Sequence, residues 1–496
     1  MGSPTAAAER RREARYRIGT AEYSEPPVAE GSLPRDATLR GTGPLRTSAA
    51  RLFVVRWALP VTVVLVFVHV RFRPKVTRGL VSVDIADVAV LCVLAVAFAA
   101  GRQDGFAVLR RSRWVWLTLA LFLFFVLAAC FYPLIHDSAY HWRKHVVTWG
   151  KLLEFSLVGA AAAVLLSVRG ILGRLLVAVV GVATVAGLVA VVQFAGARIL
   201  LSWTPGGRQA SFTGIEELAA LGGITLAIAF SGLLDGDVVD RRLVKPAIAA
   251  GTVCLVFSGA VAGGVGLGAA AVVALCLGRV RSRLPRLGAV AIVATVAVCA
   301  LGLLALRGGD IAQFARYVGL AKKERSTTTQ VQTYSQRVLQ LYLGVRIWED
   351  HPLFGAGWAS VREQQVYSPY LADAHRRFPD QPPRAFPSPE HPWGIDNAYV
   401  EVLAETGAVG ALLFLAALLT GLWSGVVATL RAPPLPAGVA QLGVLWLLVT
   451  LGIWLGQGLV ITGVTDTAWF ALGLIGFGWA SRSQRPVSGT PLPWRR

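Results

Sequence analysis

Charged residues and paired cysteines are both scarce in this chain. Only 15% of its 496 residues are charged, whereas 55% are hydrophobic. One soluble core cannot hide that much apolar surface, so the composition predicts an all-α polytopic membrane protein. The five cysteines all lie inside apolar runs without CxxC spacing. This excludes a disulfide framework or a zinc cluster as the organising principle of the fold.

A cleavable signal peptide is also missing from the sequence. Residues 1–51 contain no apolar stretch and are rich in Arg, Pro, Ser, Gly and Glu, which predicts a disordered cytoplasmic tail. The net charge of +20 does not indicate nucleic-acid binding, because Lys and Arg lie in short clusters between apolar runs. Membrane proteins carry such clusters in their cytoplasmic loops.

Long apolar runs dominate the rest of the chain. Crossing the hydrocarbon takes about 20 mostly apolar residues, and twelve stretches come close to this. With twelve spans, the tail at 482–496 lies on the same, cytoplasmic side as the first tail, and the even-numbered loops hold most of the Arg and Lys. The first outer loop departs from this pattern, with Arg71, Arg73, Lys75 and Arg78. The predicted spans are 52–72, 83–101, 114–135, 148–168, 171–196, 217–234, 245–260, 262–280, 287–306, 407–430, 437–456 and 460–481.

The predicted domain organisation follows from these spans. Residues 52–306 hold spans one to nine, residues 307–395 form a large extracytoplasmic loop, and residues 396–481 hold spans ten to twelve. Long loops inside compact proteins are usually functional. Within the loop, SQRVLQLYLGVRIWED predicts a helix whose apolar positions 338, 341, 342, 345 and 348 share one face, and Pro352 ends it. The rest of the loop, which is rich in Pro from 379 to 392, is predicted to be irregular or a lid.

Three places put charge beside apolar runs on the predicted outer face. They are Arg208 in GGRQASFTGIEE, Arg337 at the start of the loop helix, and Asp396 with Asn397 before span ten. Arginine binds phosphate oxygens in a bidentate manner and stays charged. Two guanidiniums suit a lipid-linked diphosphate and stabilise its charge as a leaving group, and a carboxylate can accept the proton of an attacking hydroxyl. This chemistry requires no metal or other cofactor.

Structural roles explain several of these residues equally well. Asp396 and Asn397 are both residue types that cap helix N-termini. Glu401 and Glu405 match the positive end of a helix dipole. His136, His141 and His145 approach the spacing of metal ligands, but neighbouring aromatic residues make interfacial anchoring the better explanation. The GxG at Gly355 and the GxxG at Gly407 follow no strand, so neither is a nucleotide fingerprint.

The motifs together resemble the O-antigen ligase and Wzy-type polymerase family of bacterial membrane glycosyltransferases. The resemblance rests on RVLQLYLGVRIWEDHPLFGAGW at 337–358 and DNAYVEVLAETGAVG at 396–410. The first is similar to the family's Arg-headed helix and HPLFGxG turn, and the second to its HN, nine residues, G, two residues, G pattern. Arg208 resembles the Arg that precedes span six in relatives.

The resemblance implies a multi-pass enzyme of the bacterial cytoplasmic membrane with its active site on the extracytoplasmic face. Such an enzyme moves a glycan, with inversion and without metal, from an undecaprenyl-diphosphate carrier to a hydroxyl of a glycan or lipid-glycan acceptor. Its partners are these substrates and membrane lipids, with no nucleic acid. Arg208 and Arg337 would contact the diphosphate, and Asn397 and His391 would bind substrate.

Two departures from the family pattern bear on the mechanism. Asp396 stands where ligases place a His thought to assist the acceptor hydroxyl, and either Asp396 or the nearby His391 can serve as the base. The turn between spans seven and eight has Ser258 and Gly259 and lacks the family's Arg. These departures favour a polymerase or an exopolysaccharide enzyme over a ligase.

Two other functions remain open. Twelve spans with both ends inside also suit a secondary transporter of a small anion, and such a site lies at the membrane midplane. The charged candidates inside the spans are few and lie mostly near predicted ends. They are Arg56, Asp84, Asp87, Lys151, Glu154 and Asp466. A noncatalytic scaffold or flippase partner would need none of the three candidate catalytic residues.

Overall fold

The computed structural model describes residues 49–78, 81–101, 105–135, 140–168, 170–202, 206–234, 236–281, 284–317, 333–379, 381–392, 394–459 and 465–482. The predicted cytoplasmic tails, 1–51 and 482–496, lie outside these ranges except at their inner ends. Fifteen α-helices are present in the described part. In chain order they are α1 Ala49–Phe67, α2 Ile85–Ala100, α3 Phe106–Arg111, α4 Arg113–Ala129, α5 Trp142–Leu165, α6 Ile171–Phe194, α7 Ile215–Leu234, α8 Arg241–Ser258, α9 Val261–Val280, α10 Arg286–Tyr317, α11 Thr333–Asp350, α12 Gln364–Arg377, α13 Ala398–Arg431, α14 Pro434–Ile453 and α15 Thr465–Ser481.

The multi-pass prediction is confirmed in its coarse form. A helix lies at each of the twelve predicted spans, and eight helices of the described part are long and apolar enough to cross a membrane: α4, α5, α6, α7, α9, α10, α13 and α14. Helices α1, α2 and α15 are apolar but shorter. The remaining helix, α8, begins with two arginines and a lysine. The count of twelve spans stays a prediction.

A small β-hairpin departs from the all-α prediction. Strands β1 Lys75–Arg78 and β2 Val81–Asp84 pair in antiparallel fashion between α1 and α2, with Lys75 opposite Asp84. Asp84 then caps α2 by accepting hydrogen bonds from the N–H groups of Ala86 and Asp87. Asp84 also forms a salt bridge of 3.0 Å with the buried Arg73, so the hairpin is fixed to the start of α2.

Three helices depart most from the predictions. Helix α10 continues to Tyr317, eleven residues beyond the predicted end of span nine. Helix α12 at Gln364–Arg377 lies in a stretch for which the sequence predicted no element. Helix α13 begins at Ala398, whereas the predicted span begins at Gly407, which instead interrupts the helix with φ 66° and ψ −170°. In the sequence, a helix that is interrupted at a glycine gives the same pattern as a shorter helix that starts at that glycine.

Helices α7 and α14 form the centre of the bundle. In each of these two helices, 89% of the most apolar stretch is buried inside the protein, compared with 50% or less in the other six long apolar helices. Helices α9 and α14 approach so closely that Gly266 meets Gly452 backbone to backbone, as small residues permit in membrane bundles. Tryptophans 446, 454 and 469 are fully buried in the same core. Other parts of the protein therefore surround α7 and α14, and this packing fixes the positions of their ends.

The loops that carry the charged residues singled out in the sequence lie at one end of the bundle. The ends of α1, α6, α8 and α14 and the starts of α7, α9 and α13 meet there, and we call it the site end. The N–H of His69, after α1, donates to Phe212 O at 3.0 Å, before α7. The N–H of Ala398 at the start of α13 donates to Trp454 O at 3.0 Å, just after α14.

Candidate active site

A cavity of about 370 Å³ opens at the site end. Its volume falls in the range of roughly 300–1,000 Å³ that is usual for small-molecule sites. Arg208, Arg337 and Asp396 all line it. The structure thus brings together three residues that the sequence identified separately, while their roles stay predictions. The full lining is His69, Leu201, Arg208, Ala210, Gly214, Ile215, Glu216, Glu217, Arg337, Asp396, Gly456 and Gln457.

Arg208 is held by the turn between α8 and α9. Its Nε donates to the carbonyl of Ser258 at 3.1 Å, and its aliphatic stem packs against Gly259, whose φ is +62°. The neighbouring Gln209 N–H donates to Phe257 O at 2.8 Å. The Ser258 and Gly259 pair, where the chain departs from the family pattern, therefore forms the support of Arg208.

Arg337 lies in the first turns of α11 and reaches back across the cavity. Its guanidinium lies over Gly456, where a Cβ would come within 3.0 Å of Nη1. Helix α11 is anchored by Leu339, Leu343 and Ile347, which are almost fully buried. The side of this helix that packs inside the protein therefore follows i, i+4 and i+8 from residue 339, next to the predicted apolar face.

Glu216, in the first turn of α7, joins the two arginines. Arg337 Nη2 donates to Glu216 Oε1 at 3.1 Å, and Arg208 Nη2 lies 3.6 Å from the same oxygen. Sequence analysis missed this residue. The signal available was the pair of acids in GIEELAAL, since Glu216 and Glu217 open an otherwise apolar span and charge inside a span is costly without partners.

Asp396 and Asn397 have different positions despite being neighbours. The N–H of Asp396 donates to Gln340 Oε1 at 3.3 Å, while the half-buried carboxyl side chain lines the cavity. Burial raises the pKa of Asp396, the positive charges of Arg337 and Arg362 oppose this, and the negative charge of Glu216 adds to it, so the pKa lies above its ordinary value. An acid with a raised pKa is better suited to accept a proton near neutral pH.

Asn397 is the N-cap of α13. Its side-chain oxygen accepts the Val400 N–H at 3.0 Å, and its Nδ2 donates to Leu455 O at 3.1 Å. The oxygen of the amide therefore caps α13, and its nitrogen joins α13 to the loop after α14. The capping alternative is therefore observed for Asn397, which is not among the residues that line the cavity. Its role in substrate binding stays a prediction.

The HPLFGAG turn is inserted into the break of α13 at Gly407. The carbonyls of Ala404 and Glu405 accept the N–H groups of Ala356 and Gly357 at 2.9 and 3.0 Å. The N–H groups of Ala408 and Val409 donate to the carbonyls of Pro352 and Leu353 at 2.8 and 3.2 Å. These four bonds pair the carbonyls and N–H groups that the break would otherwise leave without their helical partners in the bundle.

Glycines 355, 357 and 407 make this insertion possible. All three have positive φ, and a Cβ on Gly355 or Gly407 would overlap the opposite backbone. The GxG and the first Gly of the GxxG therefore serve one backbone junction. Because α11 leads into the turn and Asp396 lies just before α13, the junction fixes the helix of Arg337 relative to Asp396.

Two charged residues that do not line the cavity, Glu401 and Arg362, lie close to residues that do. Glu401 is fully buried, its Oε2 accepts the N–H of Leu459, and its Oε1 lies 4.0 Å from Arg362 Nη2. Glu401 thus ties α13 to the loop that carries Gly456, a role more specific than matching the helix dipole. Arg362 also contributes positive charge to Asp396, and nothing in the sequence pattern pointed to it.

Histidines 145 and 391 differ sharply in burial. His145 is fully buried, with Nδ1 2.6 Å from Trp358 O and Nε2 3.2 Å from Glu363, so it joins α5 to the segment after the HPLFGAG turn rather than anchoring an interface. His136 lies outside the described residues. His391 is exposed in a tight turn with Ser388 and does not line the cavity. The role of His391 in substrate binding stays a prediction.

The few charged residues that could form a transporter site inside the spans are largely paired. Lys151 lies 2.6 Å from Asp87 and 3.3 Å from Glu154, and Asp84 pairs with Arg73. Asp466 is not among the residues whose side chains are described. Within the described ranges no group of three or more His, Cys, Asp and Glu side chains is arranged to hold a metal ion. Metal independence of the reaction stays a prediction.

Part of the chain matches a known protein family. Residues 246–415 match the family model described as O-antigen ligase, Wzy_C. The match covers about a third of the chain, from α8 into α13, and includes Arg337 and Asp396 but not Arg208. No curated protein matches the chain. This matched segment, in a multi-pass helical fold, confirms the resemblance of the chain to the O-antigen ligase and Wzy-type polymerase family.

Proposed function

We propose that this protein transfers a glycan from an undecaprenyl-diphosphate carrier to a hydroxyl of a glycan or lipid-glycan acceptor. The observation that carries the proposal is the convergence of two guanidiniums on one oxygen. Arg208 Nη2 and Arg337 Nη2 lie 3.6 and 3.1 Å from Glu216 Oε1, and this atom stands in for a phosphate oxygen. A diphosphate oxygen at the same place would be bound by both arginines.

The reaction is a single displacement. The acceptor oxygen bonds to the anomeric carbon while the bond from that carbon to the diphosphate oxygen breaks, and the diphosphate leaves with the electron pair. Attack from the opposite side inverts the anomeric centre. Arg208 and Arg337 neutralise the negative charge that develops on the leaving group. Asp396 accepts the hydroxyl proton, and its raised pKa fits this role.

The extracytoplasmic location of the site is supported by charge. The bundle end opposite the site end carries Arg110, Arg111 and Arg113 between α3 and α4, and Arg241, Arg242 and Lys245 at the start of α8. Basic loops lie on the cytoplasmic side. The cavity therefore faces away from the cytoplasm and meets lipid-linked sugars at the outer surface of the bacterial cytoplasmic membrane. The looser match at Asp396 favours a polymerase or exopolysaccharide enzyme over a ligase.

The test is a transfer assay with purified protein and an undecaprenyl-diphosphate-linked glycan. We expect wild type to release undecaprenyl diphosphate, and Arg208→Ala, Arg337→Ala and Asp396→Ala each to lower the rate by about 100-fold or more. Arg346→Ala is the matched control, because Arg346 lies on the same helix as Arg337 but pairs with Glu349 and is exposed.

Two outcomes would contradict the proposal. Wild-type turnover in all three alanine variants would leave a scaffold as the better function. Uptake of a labelled anion into proteoliposomes, with no lipid-linked glycan consumed, would favour a transporter.

A further inference from the structure

His69 lines the cavity beside the arginines, and the proposed reaction gives it no role. It belongs to the segment between α1 and the hairpin, which the sequence marked only by its unexpected positive charge on the outer face. This segment contributes to the wall of the cavity. The excess of Arg and Lys there lies next to a site suited to an anion, which accounts for the departure from the usual charge rule.

The backbone holds the ring of His69 in place. Its N–H donates to Phe212 O at 3.0 Å, and its carbonyl accepts the Phe72 N–H at 2.9 Å. The Cδ2 edge of the ring lies 3.2 Å from where a Cβ would stand on Gly214, which has φ +109°. His69 is thus bound to the same stretch that carries Arg208 and leads to Glu216.

The hydrogen bond at Nδ1 determines which ring nitrogen carries the proton. The Arg71 N–H donates to His69 Nδ1 at 3.1 Å, so Nδ1 is an acceptor and the proton of the neutral ring is on Nε2. Burial, then the positive charges of Arg73 and Arg71, lower the pKa of His69. The ring is therefore neutral near pH 7 and is a donor through Nε2. It is not available as a base while Nδ1 is occupied.

We infer that His69 is a further substrate-binding residue, whose Nε2–H donates a hydrogen bond to an oxygen of the donor diphosphate. The inference rests on the proposed function, because the two guanidiniums define the place of the diphosphate. A neutral donor adds a directional contact without adding a third positive charge to the cavity. Product release thus remains easier than it would be with another arginine.

Two isosteric variants separate the two ring nitrogens. In His69→Asn the side-chain oxygen replaces Nδ1 and still accepts the Arg71 N–H, but the donor at Nε2 is lost. In His69→Gln the amide N–H replaces Nε2–H. We expect His69→Asn to weaken binding of undecaprenyl diphosphate to the protein in nanodiscs by about 10- to 100-fold, and His69→Gln to stay within about threefold of wild type. The transfer rate at low donor concentration should follow the same order.

Matched controls show whether the effect on binding belongs to His69, and equal melting midpoints show that each variant remains folded. His141→Asn and His141→Gln alter an exposed histidine at the start of α5 and should bind as wild type does. Wild-type affinity in His69→Asn, or equal weakening in both His69 variants, would overturn the inference. If wild type binds undecaprenyl diphosphate but transfers no glycan, the proposed function fails while the difference between the variants still tests His69. Failure of wild type to bind this lipid would overturn both.

Discussion

Glu216 accepts a hydrogen bond from Arg337 at 3.1 Å, although 121 positions separate the two residues in the chain. The same carboxylate oxygen attracts Arg208. Under the proposed function, Glu216 therefore occupies the position of a phosphate oxygen of the donor. It keeps both guanidiniums oriented and also competes with the ligand for them.

We predict that Glu216→Gln binds undecaprenyl diphosphate several-fold more tightly than wild type. The amide removes the competing negative charge, and interactions between charges in a partly buried site are only weakly screened. The turnover should fall, because the diphosphate product leaves more slowly. Binding in nanodiscs and single-turnover against steady-state rates measure the two effects. Glu349→Gln is the control, as Glu349 is exposed and pairs with Arg346 outside the cavity; weaker binding in Glu216→Gln would show that orienting the arginines matters more than competition.

The pH dependence of transfer should identify Asp396 as the base. Because a base acts only when deprotonated, activity should rise with pH through the pKa of Asp396, which burial raises above its ordinary range of about 3.9. Arg337 and Arg362 lower this pKa and Glu216 raises it. We therefore expect Arg362→Gln to move the acid limb of kcat/KM to higher pH and Glu216→Gln to move it to lower pH. Identical acid limbs in both variants would assign the proton to another group.

Substitution of Gly407 should destabilise the whole bundle. Its φ and ψ lie in a region that only glycine adopts readily, which costs another residue about 1–3 kcal/mol, and an added Cβ would overlap Leu353. We expect Gly407→Ala to lower the free energy of unfolding by at least ~2 kcal/mol, seen as a lower melting midpoint in detergent.

The control for this prediction is Gly181→Ala. Gly181 lies inside α6, where a Cβ would meet nothing within 4 Å, so alanine should leave stability unchanged or raise it by about 0.5–1 kcal/mol. Equal melting midpoints for Gly407→Ala and Gly181→Ala would mean that the junction with the HPLFGAG turn contributes little.

Acid should remove the contribution of Glu363 to stability. Burial alone would raise the pKa of Glu363, but the hydrogen bond and charge of His145 and the charge of Lys144 outweigh it, so the pKa is lowered. A lowered pKa stabilises the fold above the unfolded-state value of about 4.3, and this stabilisation is lost as the pH falls through the folded-state pKa. At neutral pH we expect Glu363→Gln to cost about 1–3 kcal/mol. The melting midpoints of variant and wild type should converge below about pH 4, and a constant difference at every pH would contradict this account.

The sequence predicted the helices well because apolar length is a local signal. Each of the twelve predicted spans coincides with a helix, and Pro352 follows the end of α11 as expected. The hairpin at 75–84 and helix α12 were missed, since both are short polar elements whose stability comes from contacts with distant residues, such as Tyr370 with Asp350. Gly407 was misread because a break and a start give the same pattern.

The candidate site was only half predictable. Arg208, Arg337 and Asp396 stood out as charges next to apolar runs, and all three line one cavity. Glu216 and His69 were missed because their meaning depends on partners far away in the chain, Arg337 and Phe212. Asn397 is the opposite case. It stood out in the sequence next to Asp396, but both hydrogen bonds of its side chain go to backbone groups.

The exchange of backbone bonds between residues 352–357 and the break in α13 also bears on how the protein is made. The break is stable in lipid only when those partners are present. They are synthesised about fifty residues before Gly407, so they are already part of the growing chain when α13 is made. The order of the two motifs in the chain lets the second insert directly onto the first, and a circular permutation that reversed this order should impair insertion.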